Sequence, residues 1–256
     1  MRVHILIFDG FDELDAVGPY EVFRTAAQVG ANCDVSLVTL TDQEVVTAAK
    51  GLRVVPDGVL PSPDAADTPD LLVVPGGGWN DGDGGVRREV EAGDLPAAIS
   101  AHREAESEVA SVCTGAMLLE RAGVLEGRPA VTHHGATDDL RQAGVEVRDN
   151  RVVDAGAVVT AGGITSGIDL ALHLLEREFG DDVADVTNSV VETLERAADV
   201  PLAYGLPRDE GLPLPFAVPE LDGAPVYEHD RLPSVTPDDL VPPELTVRSF
   251  GALESP

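Results

Sequence analysis

The sequence predicts an α/β protein in which a mostly parallel sheet is covered by helices on both faces. Three observations predict it. Short β-branched runs recur from Val3 to Thr160, stopped by glycine or proline and apolar throughout rather than alternating, as strands buried on both faces require. Helical apolar patterns lie between them, the order that builds parallel sheets. Glycine-rich or polar loops follow several of the runs, at the strand ends where such sheets collect their sites.

The elements follow in order. Val3 to Phe8 is the first strand. Leu14 to Gln28 is a helix, with Asp12 placed to cap it. Cys33 to Thr39 is the second strand, and Val45 to Lys50 with Val54 to Pro56 forms a short hairpin excursion. Leu71 to Val74 is an apolar strand stopped by Pro75-Gly-Gly-Gly78. The stretch from Gly76 to Gly85 lacks the Gly-Lys-Ser/Thr of a phosphate loop and has too few acids for a calcium loop, so it reads as a flexible acidic loop over a site. Leu95 to Ala105 is helical. Val109 to Val112 is a buried strand leading into Cys113, and Thr114 to Ala122 is a helix closed by Gly123. Pro129 to Thr132 is a strand, Ala136 to Gln142 a short helix, and Val145 to Val147 pairs with Val152 to Val153. Val158 to Thr160 ends in Ala161-Gly-Gly163 and is followed by helices from Ser166 to Phe179 and Asp182 to Ala198.

From Asp199 the texture changes. Residues 199–256 hold 11 of the 19 prolines and show little periodicity. The chain therefore reads as an α/β domain, 1–198, and a proline-rich acidic extension, 199–256. The extension is expected to pack on the core or on a partner subunit, with Leu212 to Phe216 as an extended strip.

With 256 residues the chain can bury a full core without staples. Its 17 basic and 46 acidic residues leave a net charge of −29, and Lys50 is the single lysine. The acids are scattered rather than gathered in a tail. That pattern suits a surface kept hydrated in high salt, so a halophilic protein is expected. It argues against nucleic acid or an anionic membrane as a partner. The first strand begins at the N-terminus without a leader, and no apolar stretch reaches membrane length. Two cysteines in such a chain predict reduced thiols and a cytoplasmic location. Cys33 reads as a small half-buried residue.

Cys113 is the first candidate for chemistry. At a strand-to-helix corner its sulfur projects outward and meets the positive end of the helix, which favours thiolate. The N–H of Thr114 can face a developing oxyanion, and Gly76 or Gly77 can supply a second donor, since glycine lets backbone approach a ligand. Taken alone, such a cysteine is more often a packed core residue. Asp15 lies on an otherwise apolar helical stripe, where burial would raise its pKa and let it hold a proton. Asp12 and Glu13 read as solvated. His133, in Val131-Thr-His-His-Gly135, could serve as base or ion-pair partner. No spacing assembles metal ligands.

Taken together, several motifs resemble the ThiJ/PfpI superfamily, and within it the isonitrile hydratase-like branch. They are Leu14-Asp-Ala-Val-Gly-Pro-Tyr-Glu-Val-Phe23, Val74-Pro-Gly-Gly77, Ser111-Val-Cys-Thr-Gly115, Ala122-Gly-Val-Leu-Glu-Gly-Arg128, Thr132-His133 and Thr160-Ala-Gly-Gly-Ile-Thr-Ser-Gly-Ile-Asp169. They occur in the family's order over about residues 1–200. The resemblance implies a flavodoxin-like, class I glutamine amidotransferase-like three-layer sandwich with a nucleophile elbow at Cys113. It implies Cys113 as nucleophile, Asp15 as the acid bonded to its sulfur, and Gly77 and Thr114 as the oxyanion hole. Thr114 also matches a residue tied to isonitrile hydration. Gly76, His133 and Thr165 would line the pocket. It implies no cofactor and a homodimer or larger assembly.

Two departures stand out. His134 replaces the tryptophan usual after Thr-His in this branch, and Gly163-Ile-Thr-Ser-Gly167 occupies the place where true amidotransferases carry a triad histidine and glutamate. The expected function is a cysteine-dependent hydratase or hydrolase acting on a small electrophilic carbon, isonitrile hydratase-like. The alternatives are glyoxalase or deglycase activity, an intracellular cysteine protease, and a non-enzymatic cysteine oxidation sensor.

Overall fold

The computed structural model describes residues 1–80, 84–191, 220–221 and 224–225. The chain divides into two units, Met1–Val191 and Glu192–Pro256. In the first, β1 (Arg2–Leu6), β2 (Asp34–Thr39), β6 (Leu71–Val74), β7 (Glu108–Val112) and β11 (Val158–Ala161) are the sheet's long strands. With β5 (Gly58–Val59) and β10 (Val152–Asp154) they form one seven-stranded sheet in the order β10-β11-β7-β6-β1-β2-β5. Every pairing is parallel except β10 with β11.

β6 and β11 are buried at every residue, which is why they read as continuous apolar runs. Helices α1 (Glu13–Gln28), α6 (Ser166–Phe179) and α7 (Asp181–Val191) pack together. Helices α2 (Gly85–Ala92), α3 (Asp94–Glu104) and α4 (Gly115–Arg121) form a second group. The expected three-layer sandwich is therefore present. Ile5, Leu6, Leu72, Phe11, Phe23, Ile99 and Leu118 are fully or almost fully buried, and each such side chain contributes about 1.5–3 kcal/mol.

The remaining elements depart from expectation in three places. Val145 to Val147 and Val152 to Val153 do not pair with each other. Instead β9 (Glu146–Val147) lies parallel to β8 (Pro129–Ala130), while β10 adds to the edge of the main sheet. Both segments are short and β-branched, so local pattern names the strand but not its partner. Helix α2 was not foreseen; its two valines, Val86 and Val90, are too few to mark a helical stripe. The loop before it is anchored over its described part. Trp79 is buried, its Nε1–H donates to Asp139 at 2.6 Å, Arg87 stacks on its ring at 4.2 Å, and the Val86 N–H donates to the Gly77 carbonyl. Residues 81–83 lie outside the described residues.

The hairpin excursion is present as β3 (Val46–Thr47) antiparallel to β4 (Arg53–Val54). A 3-10 turn, His134–Ala136, leads into α5 (Thr137–Gln142). In the second unit, Glu220–Leu221 pairs antiparallel with Ala224–Pro225. The expected helix beyond Val191 and the strip from Leu212 to Phe216 lie outside the described residues. Among the described residues no helix is long and apolar enough to cross a membrane.

Candidate active site

Cys113 joins β7 to α4 with φ of 59°, a left-handed conformation that non-glycine residues rarely hold and that marks a strained elbow. Three hydrogen bonds fix it. The Cys113 N–H donates to the carbonyls of Ala161 and Gly162, and the Cys113 carbonyl accepts from the Thr132 hydroxyl at 2.9 Å. The corner also requires glycine on either side. A Cβ on Gly115 would stand 2.3 Å from the Val74 carbonyl oxygen, and one on Gly76 would stand 2.5 Å from the Thr114 nitrogen.

Asp15 reaches the same point from α1. It is fully buried, and its Oδ2 accepts the Gly76 N–H at 3.1 Å. The carboxyl lies close enough to the Cys113 thiol for each group to shift the other's pKa. Burial, then the charge of nearby Asp12, pushes the Asp15 pKa up to about 7, against the opposing pull of the Gly76 N–H, Cys113 and Lys50. Asp15 Oδ1 is buried with no hydrogen-bond partner.

The thiol does not behave as the helix end alone would suggest. Burial, then the negative charge of Asp15, pushes Cys113 up to about 12. The N–H groups of Thr114 and Ile164 face the sulfur and favour its charged form, but they are outweighed. The physical reason is that Cys113 is only 6% exposed and shares its cavity with a second acid. Cysteine and aspartate thus form a coupled pair that holds at least one proton over the ordinary pH range.

The loop amides are already engaged. Gly77 donates its N–H to the Thr114 hydroxyl at 2.9 Å, and Gly76 donates to Asp15. The Gly77 N–H must leave Thr114 Oγ1 before it can meet a substrate oxygen. Gly77 has φ of 117°, and a Cβ there would collide with the Asp12 nitrogen at 2.5 Å.

His133 follows Thr132, which bonds the Cys113 carbonyl, and Thr165 follows Ile164, whose N–H faces the sulfur. His133 accepts the Gly135 N–H through Nδ1 and packs so closely on Gly163 that a Cβ there would stand 2.5 Å from its ring. Burial, then neighbouring His134, lowers its pKa. No histidine is among the largest influences on the thiol. Exposed Thr165 accepts from Arg151 at 3.3 Å. Asp12 occupies the N-cap position of α1, but its side chain makes no cap bond; it pairs with Lys50 at 2.5 Å. Glu13 accepts the Lys50 N–H, so neither acid is simply solvated.

The sequence reading missed Ile164. Its φ is 49°, its N–H faces Cys113, and its side chain is 43% exposed at the site's mouth. The Gly162-Gly163 pair marked this loop, but nothing marks a β-branched residue for positive φ. Among the described residues, no cluster of three or more His, Cys, Asp or Glu could hold a metal.

Comparison with known proteins agrees with this geometry. Residues 1–177 match the DJ-1/PfpI family. The chain is 34% identical over 209 residues to the isonitrile hydratase of Pseudomonas putida, covering 81% of this chain and 83% of that protein. It is 30% identical over 180 residues to a deglycase of Pyrococcus abyssi, covering 70% and 97%. A ThiJ/PfpI family protein from Pseudomonas syringae superposes with a TM-score of 0.66 at 24% identity, over 75% of this chain and 74% of that one. With a cysteine elbow, a buried acid against its sulfur and a match across its α/β domain, the chain belongs to the DJ-1/PfpI family.

Proposed function

We propose that this protein is a cysteine-dependent hydratase of small electrophilic carbon, with isonitriles as its substrate class. The observation that carries the reading is the state of the loop amides beside a buried acid of raised pKa. Gly76 and Gly77 both have their N–H groups bonded within the protein. Proteolysis and other acyl transfers need open donors for an oxyanion. Isonitrile hydration develops its charge on carbon and nitrogen, where an acid held near neutral pKa is the useful partner.

The reaction runs through the shared proton. The thiol proton passes to the Asp15 carboxylate as sulfur adds to the terminal carbon of R–N≡C. Asp15 then delivers that proton to the same carbon, giving the thioimidate R–N=CH–S. Water adds next: Asp15 takes its proton while hydroxide bonds to carbon, and returns it to nitrogen. The C–S bond breaks, the hydroxyl proton passes through Asp15 to the leaving sulfur and restores the thiol, and R–NH–CHO leaves with one water consumed. Thr114 and Ile164 steady the sulfur each time it carries charge. Gly76, His133 and Thr165 border the pocket in this reading. Gly77 and Thr114 act as oxyanion donors only after the Thr114 hydroxyl turns away.

The test is formamide production from alkyl isonitriles in high salt, comparing wild type with Cys113→Ala and Asp15→Ala. Both variants lose turnover if the reading holds; full turnover by Cys113→Ala sinks it. A second reading, deglycase-type chemistry on α-oxoaldehydes, is favoured by the similarity to the Pyrococcus deglycase. Methylglyoxal in the same panel decides between them. The proposal includes a cytoplasmic location and a homodimer or larger assembly, which light scattering checks.

A further inference from the structure

A groove of about 500 Å³ opens beside the Gly162-Gly163 loop. The charged residues that line it are mainly basic, while the carboxylates that pair with them stand outside the lining. The chain carries 17 basic against 46 acidic residues, yet Arg141, Arg148 and Arg151 converge on this groove with His134 and Asn150, and Asp149 is the single acid there.

Each arginine has a carboxylate partner: Asp138 for Arg141, Glu146 for Arg148 and Asp169 for Arg151. None of those three partners lines the groove. The arginine side chains are 53–59% exposed and the carboxylates 44–87% exposed. Exposed pairs of this kind hold weakly, so an entering anion can share or take the guanidinium forks. Ser166, the first residue of the 14-residue helix α6, also lines the groove. The helix end adds positive potential to what the arginines supply. His134 also lines the groove and adds a ring nitrogen that can donate to an anion.

We propose that this groove binds a small organic anion carrying two or more carboxylate or phosphate groups. The net charge of −29 disfavours such a molecule over the surface at large, and the guanidinium groups of Arg141 and Arg148 give it forks to grip here. Cys113 and Asp15 are not among the residues that line it, and its occupancy is read by binding rather than turnover.

The test uses the full chain and titrates citrate, fructose 1,6-bisphosphate and inorganic phosphate by calorimetry, with sodium chloride adjusted to constant ionic strength. Saturable binding of citrate or of the bisphosphate is expected, and the stronger of the two names the anion class. Arg148→Gln and Arg141→Gln should each weaken it about tenfold, while Arg148→Lys should retain part of it and confirm that the fold survives. Affinity should fall as salt rises. Absence of saturable binding by all three probes overturns the proposal. So does binding left unchanged when Arg141 and Arg148 are both replaced in a protein whose melting transition is intact.

Discussion

The main-chain N–H of Gly77 donates to the hydroxyl of Thr114 at 2.9 Å, across the mouth of the Cys113 elbow. This bond makes Thr114 a structural part of the loop as well as a neighbour of the sulfur. Replacing Thr114 by valine leaves a buried N–H unpaired, which costs about 1–3 kcal/mol. Thr114→Ser keeps the bond and should stay within about 1 kcal/mol of wild type. Urea denaturation of the two variants measures the gap; equal losses would mean the hydroxyl is not what matters.

Asp15 restrains the thiol rather than activating it at rest. Its charge is among the causes that push Cys113 up to about 12. Asp15→Asn removes that charge and leaves the Thr114 and Ile164 N–H groups in place. Alkylation of Cys113 by iodoacetamide at mild alkaline pH should then speed up by about tenfold or more. Intact mass in a Cys33→Ser background gives the rate. A slower reaction in Asp15→Asn would mean that uptake of the thiol proton by Asp15 outweighs the repulsion of its charge even without substrate.

The buried carboxyl also sets a pH dependence of stability. Below the ordinary value of 3.8, folded and unfolded chains both hold the Asp15 proton. Between 3.8 and about 7 the unfolded chain releases it and the folded chain keeps it. Stability therefore falls as pH rises through that window, and the loss is complete above it. Asp15→Asn lacks the titration. Its stability relative to wild type should climb by up to about 4 kcal/mol from the acid to the alkaline side. Denaturation curves that run parallel with pH would contradict the raised value.

A net charge of −29 predicts that the folded state gains from screening. The melting temperature should rise steadily from about 0.1 M to about 2 M potassium chloride, beyond the gain of a near-neutral protein of similar size. A melt indifferent to salt would remove the halophilic reading.

Much of the fold was legible because its signals are local. The runs Leu71–Val74 and Val158–Thr160 announce buried strands by their own composition, and Pro75 and Gly162 end them. The pairing of Glu146–Val147 with Pro129–Ala130 was not legible, since two short strands carry too little pattern to choose a neighbour. Helix α2 escaped for a related reason: eight residues with two valines show almost no stripe.

By itself the sequence determined the sheet, the elbow at Cys113 and the set of loops that surround it, because glycine stops and apolar runs act over a few residues. It also put Asp15 on the apolar face of its helix. Only the tertiary structure decided the chemistry of the pair. Asp15 meets Gly76 across 61 positions of chain, and desolvation at their meeting point outweighs the helix end, so the thiol is raised rather than lowered. The same folding joins Gly77 to Thr114 and turns the Ile164 N–H toward sulfur. Hydrogen-bond partners and pKa values depend on distances between remote segments, and those distances exist only once the sheet has assembled.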